Sequence, residues 1–430
     1  MSSAVGRSGH GLSGAEGHDA PDRLAAQHAW LALLRDEFGP GQLLSDQQWS
    51  WLADEATRHH LRGVTYRRVA DSPFAAVVPG AVWERLRSFY LETAGRNAVL
   101  VRQTSGIVRE LAAREIPVLL LKGMHLAQFV YADPGLRSMA DVDIMVRREH
   151  LAEAERVFLA HGYGPLPRPA VTEWCGWNHH LAKLSKAGAP EVELHWNIQR
   201  PSGPFRIDLE GLWQRSRAAT LDGAPVQLLA PEDLLLHLTI HLSQQHHFRR
   251  AALKGVVDIA TVIAAQGSGI DWELLARRAT DWGAAGVLYT TLRLAEEMLA
   301  VSIPPSLLQQ LPHSARDEEV VEVARRFILE LHTVLPMAYR QLARPGSLRT
   351  RARLLAGAVF LPRERMEQLY GLRPGTLLVF PCYGLRLASL LRKRSGLLLQ
   401  SLFRGRVIQQ TVDREQDRQL LERWSSLSPG

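Results

Sequence analysis

The chain has 430 residues, of which 46% are hydrophobic and 22% charged, a balance that is typical of a soluble globular protein and argues against global disorder. This length suits two or three packed units. The two cysteines, Cys175 and Cys382, are too few and too far apart for a disulfide framework or a zinc site with Cys/His spacing. They favour a reducing compartment, and we expect a cytoplasmic protein.

The formal net charge of +7 is unevenly distributed, because residues 339–423 carry 17 Lys/Arg against 6 Asp/Glu, a local excess of +11. This basic segment could contact nucleic acid, an acidic peptide or an anionic membrane surface, or it could be a solvated helical surface. No run of about 20 uninterrupted apolar residues occurs, so we expect no membrane-spanning helix. Peripheral membrane contact through the basic segment stays open.

The helical regions are predicted from apolar spacing. Residues 1–22 are rich in Gly, Ser, Ala and His and are expected to form a disordered tail. Residues 23–115 form an N-terminal helical region that ends before the first strand. Residues 231–338 are helical again, beginning at a proline followed by two acids. Residues 339–430 form the basic and mainly helical C-terminal region.

Between the helical regions, residues 116–230 alternate between strand and helix patterns, which predicts a compact unit on a small mixed sheet. The strands are predicted at residues 118–122, 141–146, 179–186 and 191–199, and the helices at residues 124–131 and 148–161.

Two aspartates lie in the second strand. Side chains alternate along a strand, so Asp141 and Asp143 share one face. Two carboxylates facing the glycine turn at Gly123 can hold Mg²⁺ against a triphosphate, since Mg²⁺ is bound through one or two carboxylates and substrate phosphates. Glycine lets the backbone approach those phosphates closely. The alternative is an exposed strand end with two solvated carboxylates.

A third carboxylate is available on the last predicted strand, where Glu191, Glu193 and His195 share a face. If that strand lies beside the one with Asp141 and Asp143, Glu193 completes a three-carboxylate cluster. Two metal ions there could activate a hydroxyl and stabilise a leaving pyrophosphate. The alternative is that Glu191 and Glu193 lie on the exposed face of an edge strand. For Glu191 we adopt this alternative and expect an exposed side chain.

Several cations and histidines lie near the predicted site in sequence. Lys122 and Arg137 flank it and could balance phosphate charge, although Lys122 could equally be solvated. His180 and His195 are candidates for contacts to the base or to the ligating carboxylates. Another pair, His237 and His241, has the i, i+4 spacing of a zinc site, but no H-E-x-x-H motif is present and we interpret both as core or surface histidines.

An ordered set of motifs resembles the uncharacterised branch of the polymerase-beta-like nucleotidyltransferase superfamily. The similarity covers roughly residues 95–300, and more weakly residues 361–370. Its motifs are Leu121-Lys122-Gly123, Tyr131, Gly135-Leu136-Arg137, Asp141-Val142-Asp143-Ile144, Gly162-Tyr163, Val192-Glu193-Leu194-His195, Pro231-Glu232-Asp233, Asp258 and Asp271-Trp272.

The resemblance implies an α+β fold, with a nucleotidyltransferase core flanked by helical regions. Within that core, Gly123 would be the phosphate turn, Asp141 and Asp143 the ligands of Mg²⁺ or Mn²⁺, and Glu193 the third carboxylate and a possible base. The helix that carries Lys254 and Asp258 would cap the nucleotide pocket. The alternative for those two is a surface ion pair at i, i+4.

The activity implied is transfer of a nucleoside monophosphate from an NTP to a hydroxyl of a peptide or small-molecule acceptor. This branch often accompanies peptide natural-product pathways. One departure is Gly123-Met124, where the superfamily usually has Gly-Ser or Gly-Gly. This change leaves open a catalytically weak nucleotide-binding regulator or scaffold. A nucleic-acid binder that uses the C-terminal arginines ranks last, because no helix-turn-helix or aromatic-basic signature supports it.

Overall fold

A computed structural model describes residues 20–39, 43–131, 133–165, 171–248, 252–329, 360–370, 375–387, 389 and 416–425. The chain divides into two compact units, one formed by Met1–Ile328 with Ser425–Gly430 and the other by Leu329–Trp424. Most of the expected tail and of the basic C-terminal region, including Arg392, Lys393 and Arg394, lies outside the described residues.

In the described part of the first unit, seven strands form one mixed sheet in the order β3-β4-β5-β2-β1-β7-β6. The strands are β1 (Leu119–Leu120), β2 (Asp141–Met145), β3 (Gly164–Pro165), β4 (Leu184–Ser185), β5 (Glu191–His195), β6 (Arg217–Leu221) and β7 (Ala224–Leu228). The central strand β2 is antiparallel to β1 and parallel to β5. Strand β1 is also parallel to β7, which makes the sheet mixed, as predicted.

Along the chain, helices precede the strands, alternate with them and follow them. Those before residue 330 are α1 (Ala20–Leu34), α2 (Asp46–Arg58), α3 (Arg62–Asp71), α4 (Gly80–Ala113), α5 (Lys122–Phe129), α6 (Leu151–Ala160), α7 (Val171–Trp174), α8 (Leu209–Gln214), α9 (Pro231–His241), α10 (Ala252–Gln266), α11 (Trp272–Trp282), α12 (Ala285–Leu299), α13 (Pro305–Gln310) and α14 (Ala315–Leu329). The expected α+β fold class is therefore confirmed.

The core of the sheet is built by one face of α4 and the apolar face of β2. Leu100, Val108 and Leu111 of α4 are buried in the same cluster as Val142 and Ile144. Spacings of eight and three residues in α4, and of two residues in β2, bury one face of each element. Because the apolar face of β2 is directed into this core, its aspartates lie on the other face.

The β6–β7 hairpin was not predicted from the sequence. Its turn is Asp222-Gly223, whose φ angles of +46° and +75° suit the two-residue hairpin turns in which Asp-Gly is favoured. The strands themselves have weak patterns, since β6 is largely exposed and β7 contains Pro225. Strand β7 nevertheless pairs with β1, and β6 forms the edge of the sheet on that side.

Helix ends follow local sequence signals. Ser45 and Gln48 form a reciprocal capping box at α2. The side chain of Asp271 accepts a hydrogen bond from the backbone N–H of Leu274 at the start of α11, and Gly283 ends that helix with positive φ. None of the helices in the described residues combines the length and apolar character needed to cross a membrane.

The second unit is described only in part. Helix α15 (Arg363–Tyr370) lies here, and its Met366 packs in a small apolar cluster with Val379 and Cys382. The weaker part of the sequence resemblance, residues 361–370, falls on this helix.

Candidate active site

Parallel pairing of β2 and β5 places the predicted carboxylates side by side. Asp141 lies opposite Glu191, and Asp143 lies opposite Glu193. We call these four residues the acidic cluster. Side chains directly opposite on neighbouring strands interact, and like charges in that arrangement are destabilising without a cation. The adjacency on which the three-carboxylate prediction depended is therefore present.

Asp143 is the buried member of the acidic cluster, with a side chain that is 5% exposed. Its Oδ1 accepts hydrogen bonds from Lys122 Nζ at 3.0 Å and from His195 Nε2 at 2.9 Å. Burial raises the pKa of Asp143, but the charge of Lys122 and the hydrogen bond from His195 outweigh burial and hold this pKa well below its usual range. Asp143 is therefore ionised at neutral pH.

Glu193 is held in a similar way. Its Oε2 lies 3.4 Å from His195 Nε2. Burial raises the pKa of Glu193, but the hydrogen bond from His195 outweighs burial and the pKa is lowered to about 2. The two carboxylates in turn raise the pKa of the buried His195, against the effect of its own burial.

Lys183 contacts the acidic cluster, and this contact was not predicted from the sequence. Its Nζ lies 3.0 Å from Asp141 Oδ2, 3.1 Å from Glu193 Oε1 and 3.4 Å from Glu191 Oε2. Burial lowers the pKa of Lys183, but its hydrogen bond to Asp141 and the charge of Glu193 raise it overall. A single lysine in the otherwise apolar run 181–184 was the available signal.

The geometry of the acidic cluster fits a divalent cation. One ligand atom from each of Asp143, Glu193 and His195 can be chosen so that all three lie within 4.8 Å of one another. Two carboxylates and an imidazole form a donor set dominated by oxygen, which suits Mn²⁺ as well as Mg²⁺. Asp141, predicted as a ligand, is partly exposed and is linked to Glu193 through Lys183.

The glycine turn opens α5, directly after β1. Lys122 has a positive φ of 30°, which is uncommon for a residue with a side chain and places local strain at the turn. Gly123 follows in the first helical turn, where free backbone N–H groups favour anions. A Cβ at Gly123 would lie 3.3 Å from Arg137 Nη1, so glycine lets this guanidinium approach the turn.

Arg137 is fixed by Asp258 of α10. Its Nε and Nη2 each donate to one carboxylate oxygen of Asp258, both at 2.8 Å, and Tyr131 OH donates to Oδ1 at 2.8 Å. Burial lowers the pKa of Arg137, but the charge of Asp258 raises it overall, so the guanidinium stays charged. Two of its three nitrogens are bound to Asp258, while Nη1 faces Gly123.

The alternative of a surface ion pair between Lys254 and Asp258 is wrong, because Asp258 is buried and binds Arg137 instead. Lys254 Nζ donates to the carbonyl oxygen of Ser138 at 2.8 Å. Burial lowers the pKa of Lys254 to about 8, and the charge of Asp141 is among those that act on it. Lys254 of α10 therefore interacts electrostatically with Asp141 of the acidic cluster.

His180 lies beside His195, the histidine that donates to Asp143. It forms a bridge with His195 across the sheet edge, and the two rings have centroids 5.1 Å apart. Its Nδ1 donates to the carbonyl oxygen of Leu181 at 2.7 Å. This bond fixes the orientation of the ring next to His195.

Comparison with solved structures gives one similarity to report. The crystal structure of an antigenic nucleotidyltransferase-like protein from Paracoccidioides brasiliensis is 18% identical over 49% of this chain and 96% of that chain, with a TM-score of 0.33. No curated protein sequence matches the chain significantly.

Comparison with models of protein families gives a match over more than half of the chain. The family model described as "uncharacterised nucleotidyltransferase" matches residues 45–300. This region exceeds half of the chain, and it contains the acidic cluster, the glycine turn, Arg137 and α10. The resemblance seen in the motifs is confirmed, and the chain belongs to the uncharacterised nucleotidyltransferase family.

Proposed function

We propose that this protein is a metal-dependent nucleotidyltransferase that moves a nucleoside monophosphate from an NTP to a hydroxyl group and releases pyrophosphate. The observation that carries the proposal is the parallel register of β2 and β5, which sets Asp143 beside Glu193 inside the family-matched region. An acidic cluster next to a glycine turn suits the binding of a metal–triphosphate complex.

The metal would be held by Asp141, Asp143 and Glu193, with His195 as a further ligand. When bound, Mg²⁺ or Mn²⁺ supplies charge stabilisation for the attacking and leaving oxygens of the displaced phosphoryl group. Lys122 and His195 favour metal binding because they keep the carboxylates of Asp143 and Glu193 ionised at neutral pH. Glu193 is also the proposed base, although a pKa near 2 limits its strength as a proton acceptor.

The triphosphate would be bound by the cations around Gly123. Arg137 Nη1 lies at the turn and is oriented by Asp258, which suits a phosphate oxygen. Lys122 and Lys254 add positive charge on the two sides of the acidic cluster. His180 and the α10 residues Lys254 and Asp258 complete the proposed nucleotide site.

We propose that the acceptor is a peptide or a small molecule, because the family resemblance is to a branch found beside peptide natural-product pathways. We also propose a cytoplasmic location. The basic segment 339–423 would guide an acidic or phosphorylated substrate. Charge reversal of Arg392, Lys393 and Arg394 without loss of turnover would contradict that guiding role.

A second candidate function is a catalytically weak nucleotide-binding regulator or scaffold. Two observations favour it. Met124 stands where the superfamily usually has serine or glycine, and the ammonium groups of Lys122 and Lys183 already neutralise the acidic cluster.

Labelled nucleotides separate the two candidates. The protein is incubated with Mg²⁺ or Mn²⁺, a pool of hydroxyl-bearing peptides and metabolites, and each NTP labelled at the α- or the γ-phosphate. A nucleotidyltransferase transfers the α-label to an acceptor or to water and releases the γ-label as pyrophosphate. Asp143→Asn should abolish this release, whereas Glu191→Gln, on the exposed end of the same cluster, should retain it. Nucleotide binding without any pyrophosphate release would favour the regulator.

A further inference from the structure

Three histidines that have no role in the proposed nucleotide site lie along one face at the end of α9. His237 and His241 are four residues apart on the α-helix, and a π-helical turn, Leu242–His246, follows directly. In a π-helix the repeat is i to i+5, so the turn places His246 next to His241. We call His237, His241 and His246 the histidine row.

Ring positions show that His241 and His246 are close together, whereas His237 lies farther from His241. The ring centroids of His241 and His246 are 4.9 Å apart, and those of His237 and His241 are 6.4 Å apart. The Nε2 atoms of His241 and His246 are 3.2 Å apart. Two nitrogens bound ~2.1 Å from one tetrahedral zinc ion lie ~3.4 Å from each other. This separation also fits a hydrogen bond between two neutral rings.

His237 provides an independent observation. Its side chain is 1% exposed, and within the described residues neither ring nitrogen has a hydrogen-bond partner. Buried polar side chains nearly always have such a partner, and an unpaired one is costly. A neutral core histidine would normally satisfy at least one nitrogen. Two unpaired nitrogens next to a close histidine pair therefore point to a missing ligand.

The protonation state of the histidine row suits metal binding. Burial lowers the pKa of His237 to about 3 and holds the pKa of His241 well below its usual range. Neutral imidazole is the form that binds metals, whereas a protonated ring cannot. The charges of Lys122 and Asp143 act on both rings, so the row lies beside the acidic cluster.

We propose that the histidine row is a transition-metal site, separate from the acidic cluster, in which Nε2 of His241 and of His246 bind one divalent ion and His237 turns toward it as the third ligand. Imidazole donors suit Zn²⁺, Co²⁺ or Ni²⁺, whereas carboxylates suit Mg²⁺ and Mn²⁺. The proposal does not depend on nucleotide transfer, and it revises the interpretation of His237 and His241 as plain core or surface histidines.

Cobalt titration tests the proposal with the metal alone. The full-length chain, free of any affinity tag and stripped with a chelator, is titrated with Co²⁺, and visible absorption reports nitrogen ligation. One saturable Co²⁺ per chain is expected. In His241→Phe and His246→Phe, which keep a ring but lose its nitrogens, the affinity should fall at least ~10-fold, the smallest loss typical of damage to a metal's supporting shell.

Two variants serve as controls. His28→Phe changes an exposed histidine of α1 and should leave the cobalt spectrum unchanged. Asp143→Asn should also keep it, which separates the histidine row from the acidic cluster. Far-UV circular dichroism reports whether each variant folds, and partly buried His246, at the helix end, is the safer substitution if His241→Phe unfolds. Absence of a saturable band in the wild type, an unchanged spectrum in His246→Phe, or loss only in Asp143→Asn would overturn the proposal.

Discussion

Asp143 joins elements that are far apart in sequence, since one carboxylate oxygen binds Lys122 of α5 and His195 of β5. A buried carboxylate is stable only with such partners, because charge burial is costly. The same principle explains Lys183, which lies among three carboxylates. Charge pairing with Lys122, Lys183 and His195 therefore stabilises the acidic cluster.

The buried pair of Arg137 and Asp258 should matter for stability. Asp258→Asn leaves the Arg137 guanidinium buried without its counter-charge, and breaking a buried pair in this way costs ~3–5 kcal/mol. We expect the free energy of unfolding, measured by urea denaturation, to fall by about that amount. Glu210→Gln is the matched control, because its partner Arg147 is on the surface, and its denaturation midpoint should stay unchanged. A midpoint for Asp258→Asn equal to that of the wild type would contradict the role assigned to the pair.

Lys254 should make stability depend on pH in the alkaline range. Its pKa is about 8 in the folded protein against 10.5 for an ordinary lysine. Between these values the unfolded chain binds more protons, so the free energy of unfolding should rise as the pH increases from about 8 to about 10.5. The gain is on the order of 3 kcal/mol. In Lys254→Met this contribution should be absent, and equal pH slopes for both proteins, measured by urea denaturation, would exclude it.

At the residue scale, the sequence alone predicted Asp141, Asp143 and Glu193 because strand alternation needs only local information. It left open whether their strands are neighbours, which requires the sheet order. His195 was expected only as a contact to the base or to the ligating carboxylates, and its position among the potential ligand atoms depends on the register of β2 and β5. Lys183 was missed for the same reason.

At the scale of elements, the helices were predictable and the short strands were not. Helix α4 (Gly80–Ala113) lies within the helical region that was expected over residues 23–115, since its apolar spacing is long and regular. Strands β1, β3 and β4 have two residues each, so their patterns carry little information. Their existence depends on pairing with neighbours rather than on local preference.

The β6–β7 hairpin depends on its turn. Gly223 has a φ of 75°, and an alanine there would adopt a left-handed conformation that costs ~1–2 kcal/mol. We expect Gly223→Ala to lower the free energy of unfolding by that amount in urea denaturation. The control is Gly269→Ala, because Gly269 does not have a positive φ and an added Cβ would meet no atom within 4 Å. Equal losses in the two variants would show that the turn conformation is not the cause.

At the scale of the whole first unit, the N-terminal helices α3 and α4 pack against the loop that carries Arg137. A Cβ at Gly63 of α3 would lie 2.2 Å from the carbonyl oxygen of Gly135, so α3 packs closely on the loop that precedes Arg137. Asn97 of α4 donates to the carbonyl oxygens of Pro134 and Arg137. The sequence predicted these helices but not their contact with the loop, because packing partners distant in sequence leave no local pattern.

The most direct test of the nucleotidyltransferase site is thermal unfolding of the protein with each NTP, with and without Mg²⁺ or Mn²⁺. Ligand at 100 times its dissociation constant stabilises the folded state by about 2.7 kcal/mol, which is visible as a rise in melting temperature. We predict a rise that requires the metal ion, disappears in the Asp141→Asn/Asp143→Asn double variant and persists in Glu191→Gln, each measured against the same protein without ligand. A wild type that shows no rise with any NTP, or a double variant that shows the full rise, would contradict the assignment of this site.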